Sequence, residues 1–227
     1  MKIGIICASE NELEPFFEDF QESTVVEKTR IKIHIGKVDS HDVYLLYSGV
    51  CKVNAAIATQ VLIDNFSVDA IINSGVAGGM DEKIRIFDTV ISTEVAYHDV
   101  SEDILTEYHP WMKSVFFKAD EKLLGSSRES VKNTDTKGTV YFGRMVTGEA
   151  FITDDGRQRI LDEFSPLSVD METGSIAHVC YVNEVPFIAV RSITDTADHS
   201  GSDFFEKNCE TASKIAKDIT IAIIRNL

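Results

Sequence analysis

The chain has 227 residues, 44% of them hydrophobic, enough for a sizeable core in one large domain or two small ones. Lysine and arginine number 22 against 37 aspartates and glutamates, a formal charge of −15 that repels phosphate backbones and anionic membranes and argues against nucleic acid as a partner. The four cysteines, Cys7, Cys51, Cys180 and Cys209, lie far apart without any C-x-x-C pair and read as buried free thiols of a reducing cytosol.

In chain order, Lys2 to Cys7 is an apolar run without alternation, hence a central strand. It is too short for a signal-peptide core and is followed by acids. Nothing later approaches the length of a membrane span, so a soluble cytoplasmic globule is expected. Ser9 and Glu12 have the spacing of a capping box, a purely structural reason for Glu12, and Pro15 marks where that helix starts or bends. Arg30 to Val38 alternates as a half-buried strand and Val43 to Tyr47 is its partner; Val53 to Ile63 is a helix packing back on the sheet. Asp69 to Asn73 is another buried strand, running into Ser74-Gly75-Val76-Ala77-Gly78-Gly79, which reads as a turn or as a place where backbone approaches a ligand.

Asp88 to Tyr97 is a strand ending at His98, read as a satisfied structural histidine because no nucleophile signature accompanies it. Residues Val100 to Phe117 fit neither period yet carry Ile104, Leu105, Tyr108, Trp111, Met112, Val115, Phe116 and Phe117, too much apolar surface for a solvent loop. Asp120 to Val131 reads as a helix, Thr139 to Val146 as a strand, Arg157 to Phe164 as a helix and Leu167 to Met171 as a strand. Glu172 follows at a strand-to-helix join, where it serves either the helix dipole or a ligand at the carboxyl end of the sheet. Phe187 to Ile193 is the last strand, leading to Thr194-Asp195, and Phe205 to Ile224 is an amphipathic helix. Strands and helices alternate throughout, the mark of an α/β layered fold.

Four stretches carry a resemblance: I-G-I-I-C-A-S-E-N-E, S-G-V-A-G-G, T-G-E-A-F-I, and V-D-M-E with R-S-I-T-D-T-A-D. Together, in this order over nearly the whole length, they resemble the 5′-methylthioadenosine/S-adenosylhomocysteine nucleosidases of the nucleoside phosphorylase fold. The chain is read as a single domain over 1–227; the resemblance implies a three-layer αβα architecture with a central twisted mixed sheet, and release of adenine from 5′-substituted adenosines. It implies that Glu12 activates water and Asp195 protonates the purine. Met171 and Glu172 would hold the ribose, Phe151 would stack on adenine beside the Ile152 backbone, Val76 and Gly78 would line the sugar side, and Arg191 would support the carboxylates. Phe205 would cover the sugar, in competition with Phe204. No metal or organic cofactor is implied, and the partners would be an adenine nucleoside and a second copy of the chain, forming a homodimer through residues Val100 to Phe117.

The chain departs from that family's pattern at Ser9, Asp170 and Thr173, and most in V-S-E-D-I-L-T-E-Y-H-P-W-M after His98-Asp99. The preferred 5′ substituent is left open by this departure. Two other readings stand beside the nucleosidase: a phosphorylase of the same fold, which would need cations where this chain has Glu10, Glu12 and Glu14, and a nucleoside-binding protein without turnover.

Overall fold

The computed structural model describes residues 1–152, 154–198 and 202–227. Ten strands form one mixed sheet: β1 (Lys2–Cys7), β2 (Gln21–Lys28), β3 (Ile31–Val38), β4 (His41–Tyr47), β5 (Ala70–Gly79), β6 (Thr89–Tyr97), β7 (Phe117–Lys118), β8 (Val140–Thr147), β9 (Ser168–Asp170) and β10 (Phe187–Asp195). The helices are α1 (Glu10–Leu13), α2 (Lys52–Phe66), α3 (Glu102–Glu107), α4 (Glu121–Asn133), α5 (Asp154–Phe164), α6 (Thr173–Val182) and α7 (Ser202–Arg225). Strand order is β10-β6-β8-β9-β5-β1-β4-β3-β2, and β10 also pairs with β5, so five strands close on themselves while β1, β4, β3 and β2 extend as an open wing.

Neighbouring residues of the central strands point to opposite faces, as the pleat requires. Ile6, Leu46 and Ile71 pack with Ala55, Ala58 and Leu62 of α2 and Ile176 of α6. Ile5, Leu45 and Ile72 pack with Leu123 of α4 and Ile215, Ile219 and Ile223 of α7. Helices therefore cover both faces, the expected αβα layering. None of the described helices is long and apolar enough to cross a membrane.

The structure departs from the sequence reading at particular places. Glu12 and Pro15 fall in different elements: α1 ends at Leu13, and a 3₁₀ turn with Pro15 near its start continues to Glu18. The wing gains β2, which among the described residues pairs with β3 alone. Ser74 to Gly79 is strand throughout, and its glycines serve close packing within the sheet: a β-carbon at Gly78 would lie 3.2 Å from Asp195 Oδ2. His98 is buried but not satisfied, since both ring nitrogens lack a hydrogen-bond partner among the described residues. In the 100–117 segment α3 forms, and Leu105, Met112 and Phe117 join the core while Ile104, Tyr108 and Trp111 stay exposed. Cys7, Cys180 and Cys209 are buried free thiols; Cys51 is only half-buried.

Candidate active site

One buried guanidinium gathers three of the carboxylates at the carboxyl end of the sheet. Arg191, on β10, is fully buried; its Nε lies 2.9 Å from Asp170 Oδ2, its Nη2 3.2 Å from Glu172 Oε2 and its Nη1 3.5 Å from Glu12 Oε1. The three carboxylates come from the end of β9, the N-cap of α6 and the first turn of α1. A buried charge left unpaired is strongly destabilising, so each member of this group holds the others in place.

Each carboxylate is also fixed by backbone donors. Glu12 Oε2 accepts from the Ala8 amide at 2.5 Å and the Ser9 amide at 3.2 Å, the second being half of the expected capping box, while Oε1 accepts from Val76 on β5 at 2.8 Å. The same side chain thus caps α1 and faces the sheet end, so the structural and functional readings of Glu12 coexist. Asp170 Oδ1 accepts from the Thr147 hydroxyl at 2.6 Å and the amides of Glu172 and Thr173 at 3.3 and 3.1 Å, closing the start of α6. The Thr173 hydroxyl also donates to Asp170 Oδ2 and lies 2.7 Å from Asn73 Oδ1. Glu172 Oε1 accepts from the Cys51 amide at 2.9 Å. Cys51 makes that bond with φ +81°, a region almost reserved for glycine, so its backbone is strained at the point where it aims the amide at Glu172.

Beside this cluster lies a cavity of about 380 Å³ whose walls include Glu12, Val76, Gly78, Phe151, Ile152, Met171, Glu172, Asp195 and Phe205. The residues expected to touch substrate therefore converge, and Arg191, expected to support the carboxylates, lies against them and is not among the cavity's walls. Asp195 ends β10 just after a break in register opposite Gly78, a geometry that re-aims a side chain. Its Oδ1 accepts from Thr194 at 2.8 Å. Of the adjacent phenylalanines, Phe205 lines the cavity and meets Phe151 edge-on, with ring centroids 5.9 Å apart. Sequence reasoning missed Val50, Ala150, Arg157 and Thr194 in these walls. Ala150 and Thr194 lie inside the T-G-E-A-F-I and R-S-I-T-D-T-A-D motifs, whereas Val50 and Arg157 carry no local signal because each is ordinary for its own element. Among the described residues no group of three or more His, Cys, Asp or Glu is arranged to hold a metal ion.

Burial sets the proton affinities. It pushes Asp195 up, opposed by the Thr194 hydrogen bond and the Arg157 charge. It pushes Glu172 up to about 7, opposed by Arg191 and reinforced by Asp170. Such a site can hold a protonated carboxyl next to an apolar slot for a flat ligand.

The sequence pattern of the phosphorylase superfamily matches residues 2–225. A 5′-methylthioadenosine/S-adenosylhomocysteine nucleosidase from Exiguobacterium sp. is 37% identical over the whole chain and 99% of its own. The crystal structure of such a nucleosidase from Colwellia psychrerythraea, in complex with adenine, superposes with a TM-score of 0.92 at 31% identity, covering all of this chain and 96% of that one. The enzyme of that name from S. pneumoniae, bound to a transition-state inhibitor, gives a TM-score of 0.90 at 30% identity, covering all of this chain and 99% of its own. The chain belongs to the phosphorylase superfamily and, within it, to the 5′-methylthioadenosine/S-adenosylhomocysteine nucleosidase family.

Two outcomes follow from the geometry. A β-carbon at Gly75 would lie 2.6 Å from Arg191 Nη1 and would collide with Glu12 Oε1. Gly75→Ala is therefore expected to cost about 1–3 kcal/mol of stability and to lower turnover about 100-fold, as read by thermal melting and steady-state kinetics. The raised Glu172 carboxyl contributes stability that is complete below its ordinary value of 4.5 and is lost as pH rises through about 7. Melting temperatures between those pH values should fall less steeply in Glu172→Gln; parallel curves would show that Glu172 does not titrate in this window.

Proposed function

We propose that residues 1–227 act as one domain that hydrolyses the N-ribosidic bond of 5′-methylthioadenosine, S-adenosylhomocysteine or a related 5′-substituted adenosine, releasing adenine. The observation that carries the reading is the placement of Glu12 and Asp195, both buried, in the walls of one cavity that also holds Glu172 and the Phe151 and Phe205 rings. Water attacks the anomeric carbon as the bond to the purine breaks. Glu12 takes a proton from that water and Asp195 gives one to the departing base, so neutral adenine and a free sugar hydroxyl result. The sugar gains oxocarbenium character on the way, as in glycoside hydrolysis, and the carboxylate-lined wall favours that charge. Glu172 and Met171 hold the ribose, Phe151 stacks on the base beside the Ile152 backbone, and Phe205 covers the sugar.

Hydrolysis is favoured over phosphorolysis because the fully buried Arg191 is already engaged by three carboxylates, leaving the sugar side acidic. A panel of adenine nucleosides differing only at the 5′ position, assayed with and without phosphate, tests this. Free sugar should form at a rate indifferent to phosphate, and a sugar 1-phosphate product would favour the phosphorylase. Glu12→Gln and Asp195→Asn are each expected to lower kcat at least about 100-fold while leaving nucleoside affinity within about tenfold. Glu172→Ala should weaken binding itself, by about 1.5–3 kcal/mol. Near-normal kcat with a lowered melting temperature in Glu12→Gln would leave Glu12 as a helix cap alone.

The same reading makes the chain a two-fold homodimer. Val50, Val53 and Ile57 near the start of α2, Tyr181 and Val182 at the end of α6, and Ile104, Tyr108 and Trp111 in the 100–117 segment are all exposed. Contacts link these regions: α2 packs on α6, and Phe117 lies against Tyr181 with centroids 5.8 Å apart. So much apolar surface suits a self-complementary interface better than solvent. Light scattering should give a dimer of the 25.2 kDa chain, and Trp111→Asp or Val53→Glu should shift it toward monomer; a parent that is monomeric at micromolar concentration defeats the proposal.

A further inference from the structure

Among the described residues that wall the cavity, Arg157 is the one cation. It stands in α5, the helix that follows Phe151 and Ile152 in the chain. Its Nη1 donates to the carbonyls of Gly79 and Met80, at 2.9 and 3.3 Å, where β5 ends. Asp195 pairs with the preceding residue of that strand, Gly78. One side chain therefore runs from the base-facing segment to the strand end against which the acid rests, while its charge acts on that acid.

We infer that Arg157 is a positioning residue for hydrolysis: it fastens the segment carrying Phe151 and Ile152 to the end of β5 and holds a fixed positive charge beside Asp195. The inference rests on the proposed role of Asp195 as the acid. The fastening matters because the Phe151 ring is half-exposed, packing edge-on against Phe205. A wall held this lightly takes its position from the helix behind it. Both hydrogen bonds come from Nη1 at the tip of a planar guanidinium, whose donor directions are fixed, whereas a lysine ammonium is a point charge with rotatable donors on a flexible stem.

The charge has a separate effect. Asp195 is faced by Arg157 from α5 and, around the cavity, by Glu12 from α1, Asp170 from β9 and Glu172 at the start of α6, with the Thr194 hydroxyl beside it. Burial favours the protonated acid and Arg157 opposes it. An acid catalyst works best when it holds its proton near working pH and still releases it to the leaving group, and Arg157 sets that balance from outside the reacting atoms.

The test is adenine release from 5′-methylthioadenosine across pH by the full chain carrying Arg157→Met, Arg157→Lys or Asp195→Asn. Arg157→Met should raise KM about tenfold and move the alkaline limb of kcat/KM about one pH unit upward, because without the cation Asp195 keeps its proton to higher pH. Arg157→Lys should raise KM but leave the limb in place, since it retains the charge and loses the fixed donor directions of the guanidinium. It is expected to fold with the charge intact, so it tests the fastening even if Arg157→Met is unstable. A purely structural role would lower the melting temperature and leave the pH limb unmoved in both variants, which would overturn the inference. KM and pH profile in Arg157→Met superimposing on the parent, with Asp195→Asn inactive, would overturn the inference alone. Turnover retained by Asp195→Asn would instead remove Asp195 as the acid, and the inference with it.

Discussion

The buried Arg191 guanidinium is the constraint on which the rest of the site depends. A strand running through the core carries it, fully buried, and it meets Asp170, Glu172 and Glu12 within 2.9 to 3.5 Å. In that setting a missing partner would leave a desolvated charge, at a cost of about 3–5 kcal/mol. Two elements of the fold exist in their observed form because of it. Gly75 has no side chain because Glu12 and Arg191 occupy that space, and the turn from β9 into α6 is tied to β8 and β5 through Thr147, Thr173 and Asn73.

The groups that hold the fold are also those that face the cavity. Glu12 closes the first turn of α1 and joins it to β5 through Val76, yet stands in the cavity wall. Glu172 is the N-cap residue of α6 and takes the strained Cys51 amide from the start of α2, yet stands in the same wall. A carboxylate fixed by several fixed donors needs little reorganisation when charge changes in front of it, which is the physical meaning of preorganisation. Fold stability and the shape of the cavity wall are therefore coupled at these two positions.

Legibility varied with the range of the forces involved. Strands with apolar neighbours on both faces, such as β1, and long helices with an apolar stripe, such as α7, show their period in the chain. The β2 strand, Q-E-S-T-V-V-E-K, shows none, because it lies at the edge of the wing with much of its surface in water and is a strand through pairing with β3. Ser74 to Gly79 resembles a turn because glycine usually marks one, whereas here glycine makes room for Asp195, Glu12 and Arg191. His98 reads as a satisfied buried residue, and only the packed structure reveals that its ring nitrogens lack protein partners.

By itself the chain determined the alternation of strands and helices, the placement of acids at strand ends, and a set of ordered motifs that resemble one nucleosidase family. These are local properties, carried by periodicity and by residues a few positions apart. Tertiary structure alone decided that three carboxylates meet on the fully buried Arg191, that Phe205 and not Phe204 lines the cavity, and that Arg157 joins its wall. It also decided that Cys51, read as buried, sits half-exposed in a glycine-like conformation. The reason is sequence distance: Glu12 meets Val76 64 positions away, and Cys51 meets Glu172 121 positions away, pairings that no local pattern encodes and only the closed sheet brings together.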